Sequence, residues 1–106
     1  MTAEIKIANY VIGLRELTYG DYIKILKSNV KYELDQSGQL RTKDMNVLDM
    51  MLDIAAYSIA YIKDEKNELI YDGDDPDRAK SFIMQLPVSD ANKLIQKAME
   101  VNPFQP

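Results

Sequence analysis

The chain has 106 residues and a mass of 12.2 kDa, enough for one domain spanning 1–106, whose folding removes roughly two-thirds of the unfolded surface from water. Histidine, cysteine and tryptophan are absent, which excludes disulfides, Cys/His zinc sites, thiolate nucleophiles and His-centred triads. The net charge of −4 falls wholly in residues 64–106, since residues 1–63 hold eight basic and eight acidic groups, and so acidic a chain lacks the basic footprint of a nucleic-acid binder.

Ile5 and Ile7 alternate with Glu4 and Lys6, and Tyr10, Ile12 and Leu14 alternate with Val11, Gly13 and Arg15. That is the period of half-buried strands, so two short strands or one bulged strand open the domain, with Asn9 at the junction. Thr18 then precedes Tyr19, Tyr22, Ile23, Leu26 and Val30, a helical stripe. Thr18 is a good cap, Asp21 sits in the first turn, and Lys24, Lys27 and Lys31 gather toward the C-terminal end, so a helix is expected over about 19–29. Tyr32, Leu34 and Leu40 follow around Asp35-Gln36-Ser37-Gly38, whose turn chemistry predicts an exposed loop or a small hairpin.

Residues 43–62 carry the strongest periodicity. Leu48, Met51, Leu52, Ala55, Ile59 and Ile62 form one stripe at helical spacing, and Thr42 can cap it with Asp44 in its first turn. A second stripe, Val47, Met50, Ile54, Tyr57 and Tyr61, runs beside it. A helix apolar over most of its circumference is central to a core or covered on its second side by another chain, and these five residues are the expected partner-binding surface. The apolar run Ile54 to Ile62 is far shorter than the ~20 residues that span a bilayer, and no basic region precedes an apolar one at the N-terminus. A soluble cytoplasmic protein is expected, with no membrane and no nucleic acid among its partners.

Residues 64–77 hold seven acids and one lysine, with Leu69 to Tyr71 as a short strand inside an otherwise exposed connection. Asp75-Pro76 starts a helix with Ala79, Phe82, Ile83 and Leu86 on one face, and Pro87 stops it. Ser89 is read as the cap of a last helix, with Ala91, Leu94, Ile95, Ala98 and Met99 inward, ending before Asn102-Pro103. The expected fold is therefore α+β and mainly helical: a small N-terminal β element of one or two strands, a third at 69–71, and about four helices.

No catalytic constellation, cofactor site or metal site is read from these residues. A calcium loop counted from Asp72 places Pro76 at the fifth ligand position, Asp77 at the glycine position and Ile83 at the closing glutamate, so its spacing fails three times. The glycines are scattered and cradle no phosphate. Asn102-Pro103-Phe104 matches a tripeptide read by endocytic adaptors, against which stands a terminal segment packing Phe104 on the fold.

In order, the chain runs through Val-Ile-Gly-Leu-Arg-Glu-Leu-Thr-Tyr-Gly-Asp-Tyr (11–22), a long apolar helix (43–62), an acidic turn, and Ser-Phe-Ile-Met-Gln-Leu-Pro-Val-Ser-Asp-Ala (81–91). This order resembles the tail assembly chaperones and T4-type baseplate hub assembly proteins of tailed bacteriophages. The resemblance implies a non-enzymatic protein of the host bacterial cytoplasm that binds an aggregation-prone tail or baseplate component before assembly. A Met- and Tyr-bearing apolar face would cover the client until its next partner displaces it. Two alternatives stand beside this reading, an acidic phage-encoded inhibitor presenting 64–77 to a basic host protein and a minor virion structural subunit, and homo-oligomerisation is left open.

Overall fold

In the computed structural model, which describes residues 2–103, the opening alternation forms a hairpin of β1 (Ala3–Ile7) and β2 (Tyr10–Leu14), turned at Ala8 with φ 52°. Helix α1 (Tyr19–Asn29) starts on a capping box: Thr18 Oγ1 accepts from the Asp21 amide at 3.1 Å, and the Asp21 carboxylate accepts from the Thr18 amide. Strands β3 (Val30–Leu34) and β4 (Leu40–Met45) follow as a hairpin, then α2 (Val47–Ser58), β5 (Ile59–Lys63) and β6 (Leu69–Tyr71). Asp75 caps α3 (Pro76–Met84) and Pro76 occupies its first turn. The last helix, α4 (Val88–Val101), begins just after Pro87 with no side-chain cap, earlier than a Ser89 cap implies.

Four strands pair antiparallel in the order β1-β2-β5-β6, and β3-β4 form a separate two-stranded sheet. The expectation of a mainly helical protein is thereby corrected. Among the described residues helix accounts for 45% and strand for 28%, so this is an α+β fold in which six strands in two sheets, and not one small N-terminal element, share the structure with four helices.

The long helix expected over 43–62 is where that excess went. Its first residues belong to β4 and its last to β5. The C-terminal error has a geometric cause: Tyr61 pairs with Gly13 but Ile59 pairs with Leu14, so Ala60 is an extra residue in a bulge. In a regular strand Ile59 and Ile62 would point to opposite faces; the bulge turns both inward, where both are fully buried. A bulged strand therefore reproduces the i, i+3 spacing of a helix.

The core has two parts. One face of the four-stranded sheet sends Ile7, Ile12, Leu14, Ile59 and Ile62 against α2, α3 and α4. On the far side of α2, Met50 and Ile54 pack with Ile25 of α1 and Val30 at the base of β3. Thus α2 sits between the two clusters. Its charged residue Asp53 accepts from Asn29 of α1 at 2.8 Å and from Lys80 of α3 at 2.9 Å, tying three helices at one carboxylate. The hydrogen bond that Lys80 donates to Asp53 holds its ammonium above the ordinary pKa, opposed by partial desolvation.

Candidate functional site

Between α1 and α2 the chain leaves the body as the β3-β4 ribbon, which pairs with itself and meets the rest of the protein at its base, against α1 and the second core cluster. The molecule accordingly measures 58 × 25 × 21 Å, and its radius of gyration of 15.3 Å exceeds the ~13 Å of a compact domain this size. The ribbon turns through Asp35, whose Oδ1 accepts from the Ser37 hydroxyl at 2.6 Å and from the Ser37 and Gln39 amides at 2.9 Å. Those bonds, the Ser37 hydroxyl foremost, hold the Asp35 carboxyl below its ordinary pKa. Gly38 closes the turn at φ 83°, a left-handed conformation that glycine adopts without strain.

The register makes this arm amphipathic. Leu34 pairs with Leu40, Tyr32 with Thr42 and Val30 with Met45, while Glu33 pairs with Arg41 and Lys31 with Asp44; a bulge at Lys43 keeps the two sets in phase. One face is thus Tyr32, Leu34, Leu40 and Thr42, continued at the base by Val30 and Met45 into the second core cluster. The other is charged, with Arg41 Nη2 at 3.0 Å from the Glu33 carboxylate. Leu34 is 68% exposed, Leu40 66% and Tyr32 44%. A lone two-stranded hairpin is marginally stable in water, and among the described residues this arm leaves its apolar face uncovered.

The second stripe, expected to bind a partner, does not gather into one exposed surface. Met50 and Ile54 are each 2% exposed because α1 folds back over them. Tyr57 packs beside them and borders a polar cleft of about 330 Å³ between α1, α2 and α3. Val47, at the first turn of α2, is half exposed. Tyr61 belongs to β5 and lies apart: its ring covers Gly13, where a Cβ would sit 2.2 Å from a ring carbon, and its hydroxyl donates to Glu4 two strands away. That hydrogen bond pushes the Tyr61 hydroxyl pKa up. The helix is covered on both sides by its own chain, so the five residues never share one exposed face.

Besides Val47, α2 exposes the start of the other stripe. Leu48 is 79% exposed, and Leu52, one turn on, borders a shallow cleft with Met84 of α3. The acidic segment is pinned to the body: Asp64 caps its own turn, Asp75 caps α3, and Arg15 donates to the Gly73 carbonyl at 3.3 Å. Asp74 and Asp72 lie close enough that their hydrogen bond raises the Asp74 carboxyl above its ordinary pKa. Among the described residues no group of three His, Cys, Asp or Glu side chains is arranged to hold a metal ion, and no helix is long and apolar enough to cross a membrane.

Asn102 has a structural task. Its Oδ1 accepts from the Leu17 amide at 2.8 Å, and its Nδ2 donates at 2.9 Å both to the Arg15 carbonyl and to Ser58 Oγ, which is itself bonded to the Ile54 carbonyl. The amide is consumed in joining α4 to the β2-α1 and α2-β5 junctions, which opposes the adaptor-motif reading; Phe104 lies outside the described residues. The arm residues Tyr32, Leu34 and Leu40 stood out in the sequence only as a turn-flanking cluster. Their alternation with charged residues was the available signal.

No family model matches this chain, and no curated protein or solved structure matches it either.

Proposed function

We propose that this protein is a non-enzymatic assembly chaperone of a tailed bacteriophage. In the host bacterial cytoplasm it holds an aggregation-prone tail or baseplate component until that component's next partner takes its place. The phage assignment is supported by the order of segments 11–22, 43–62 and 81–91 in the sequence. The binding role is supported by one observation above others: the uncovered apolar face of the arm, with Tyr32, Leu34 and Leu40 side by side.

The chemistry is that of reversible cover. Fully burying a large apolar side chain is worth about 1.5–3 kcal/mol, so three of them give useful affinity without locking the complex. Because the client's next partner competes for the same apolar surface, assembly removes the chaperone by mass action. Contact through the apolar face changes little with salt.

The experiment is co-expression with tail and baseplate proteins, comparing the wild type with Leu34→Ser/Leu40→Ser. The wild type should co-purify with one of them, raise its soluble yield and be absent from mature virions; the double variant should stay folded and lose the client. Stoichiometric amounts in purified virions would make the protein a structural subunit. Client binding lost at moderate salt would favour an acidic inhibitor, a reading that the internally bonded Asp64, Asp72, Asp74 and Asp75 weigh against.

A further inference from the structure

Among the described residues the arm has a second uncovered feature, its β3 edge. The Asp35 amide donates across the ribbon to Gln39, and the Asn46 amide donates to the Asn29 carbonyl at the other end. Backbone groups alternate along a strand, so the odd-numbered residues of β3 face β4, and Tyr32 and Leu34 aim their amides and carbonyls at the open edge. Val30 faces the same way, but its amide is already used by the Leu26 carbonyl at the end of α1. An edge of this kind is a template for another strand.

We infer that the β3 edge pairs antiparallel with the β3 edge of a second copy, about a two-fold axis through Tyr32, joining two arms into one four-stranded ribbon. The side chains select this register. With Tyr32 opposite Tyr32, Lys31 of each copy faces Glu33 of the other and Val30 faces Leu34. Shifting by one step in either direction places Glu33 opposite Glu33 or Lys31 opposite Lys31. On β4 the comparable registers set Arg41 against Lys43 or against Arg41. Like charges directly opposite destabilise a strand pair, so β3 is favoured over β4 and one β3 register over its neighbours.

The hydrogen bonding is consistent with the same register. Tyr32 exchanges both bonds with its counterpart, and each Leu34 amide donates to the facing Val30 carbonyl. Across the charged face the order becomes Asp44, Lys31, Glu33, Arg41, alternating in sign as it crosses from one copy to the other. On the opposite side the two apolar faces merge, because a two-fold axis perpendicular to a sheet keeps equivalent faces together. This inference goes beyond the client reading and does not depend on it: the copies use the edge, the client the face.

The test is sedimentation velocity of the full chain from about 1 μM to 1 mM, the span over which a modest dimer is read. The wild type should pass from monomer to dimer and stop there. Lys31→Glu and Glu33→Lys should each weaken association by about tenfold or more, since each turns two attractive cross-strand pairs into repulsive ones. An equimolar mixture of the two variants should dimerise like the wild type, because the two acidic side chains of the first variant's strand then face the two basic side chains of the second's. Leu34→Pro, which removes an amide the hairpin does not use, should abolish the dimer while the circular dichroism spectrum keeps its strand signal. A wild type that stays monomeric, a mixture no more associated than either variant alone, or open-ended oligomers from β3-to-β4 pairing would each overturn the inference. Client capture by the monomeric Glu33→Lys chain reports on the proposed function separately.

Discussion

Replacing Ile54 with alanine separates a core helix from an interaction helix. Ile54 is 2% exposed and packs with Ile25, Val30 and Met50 in the cluster under α1. The truncation removes the equivalent of three methylenes, about 2.4 kcal/mol at ~0.8 each, and the incompletely collapsed cavity brings the expected loss to about 3 kcal/mol. With a urea m-value of about 1.5 kcal/mol/M for a domain of this size, the unfolding midpoint should fall by about 2 M at unchanged slope. Leu48→Ala, in the exposed start of the helix, should shift stability by less than about 0.5 kcal/mol. Ile54→Asp should not yield folded protein, since an unpaired buried carboxylate costs several kcal/mol out of a total of roughly 5–15. Folded, monodisperse Ile54→Asp, or an Ile54→Ala midpoint equal to the wild type's, would refute the placement of α2 at the centre of the protein.

Asn102→Ala should cost roughly 2–3 kcal/mol, measured by the same urea titration, because it strands the Leu17 amide, the Arg15 carbonyl and one acceptor position of Ser58. Gly13→Ala should displace the Tyr61 ring, lowering thermal stability and freeing the Tyr61 hydroxyl to titrate nearer its ordinary value, which ultraviolet absorbance at alkaline pH would report. The Asp35 turn should loosen in acid. Its folded pKa lies below the ordinary 3.8, so the stabilisation is present above that value and is lost as the pH falls from there through the folded pKa. Amide exchange at Ser37 and Gln39 would follow that loss, and Asp35→Asn should abolish its pH dependence.

The legibility of the fold follows how local each determinant is. Helices α1 and α3 could be read because Thr18 and Asp21 cap each other's amides, and Asp75 accepts from the Asp77 and Arg78 amides beside Pro76, all within one turn. The β1-β2 alternation and the Asp35-Gly38 turn are equally local. The limits of α2 were not legible, because the bulge at Ala60 is set by pairing with Gly13 and Leu14 more than forty residues away. Nor could the sequence tell which side of α2 would be covered: that depends on α1 folding back, so that Ile25 and Val30 cover Met50 and Ile54. The same tertiary choice leaves Leu34 and Leu40 outside. Tyr61 shows the limit most plainly, since its helical neighbours by spacing are its opposites across a sheet.

The most direct test of the arm as the protein's interaction surface is site-specific photo-crosslinking in cells that make both this chain and the tail or baseplate components. A photoreactive residue replacing Leu40 should yield a covalent adduct with one such component, while the same residue replacing Leu48, at least as exposed but on the body, should not. Adducts from position 48 alone, or none from position 40 while the client co-purifies, would contradict the assignment of client binding to the arm.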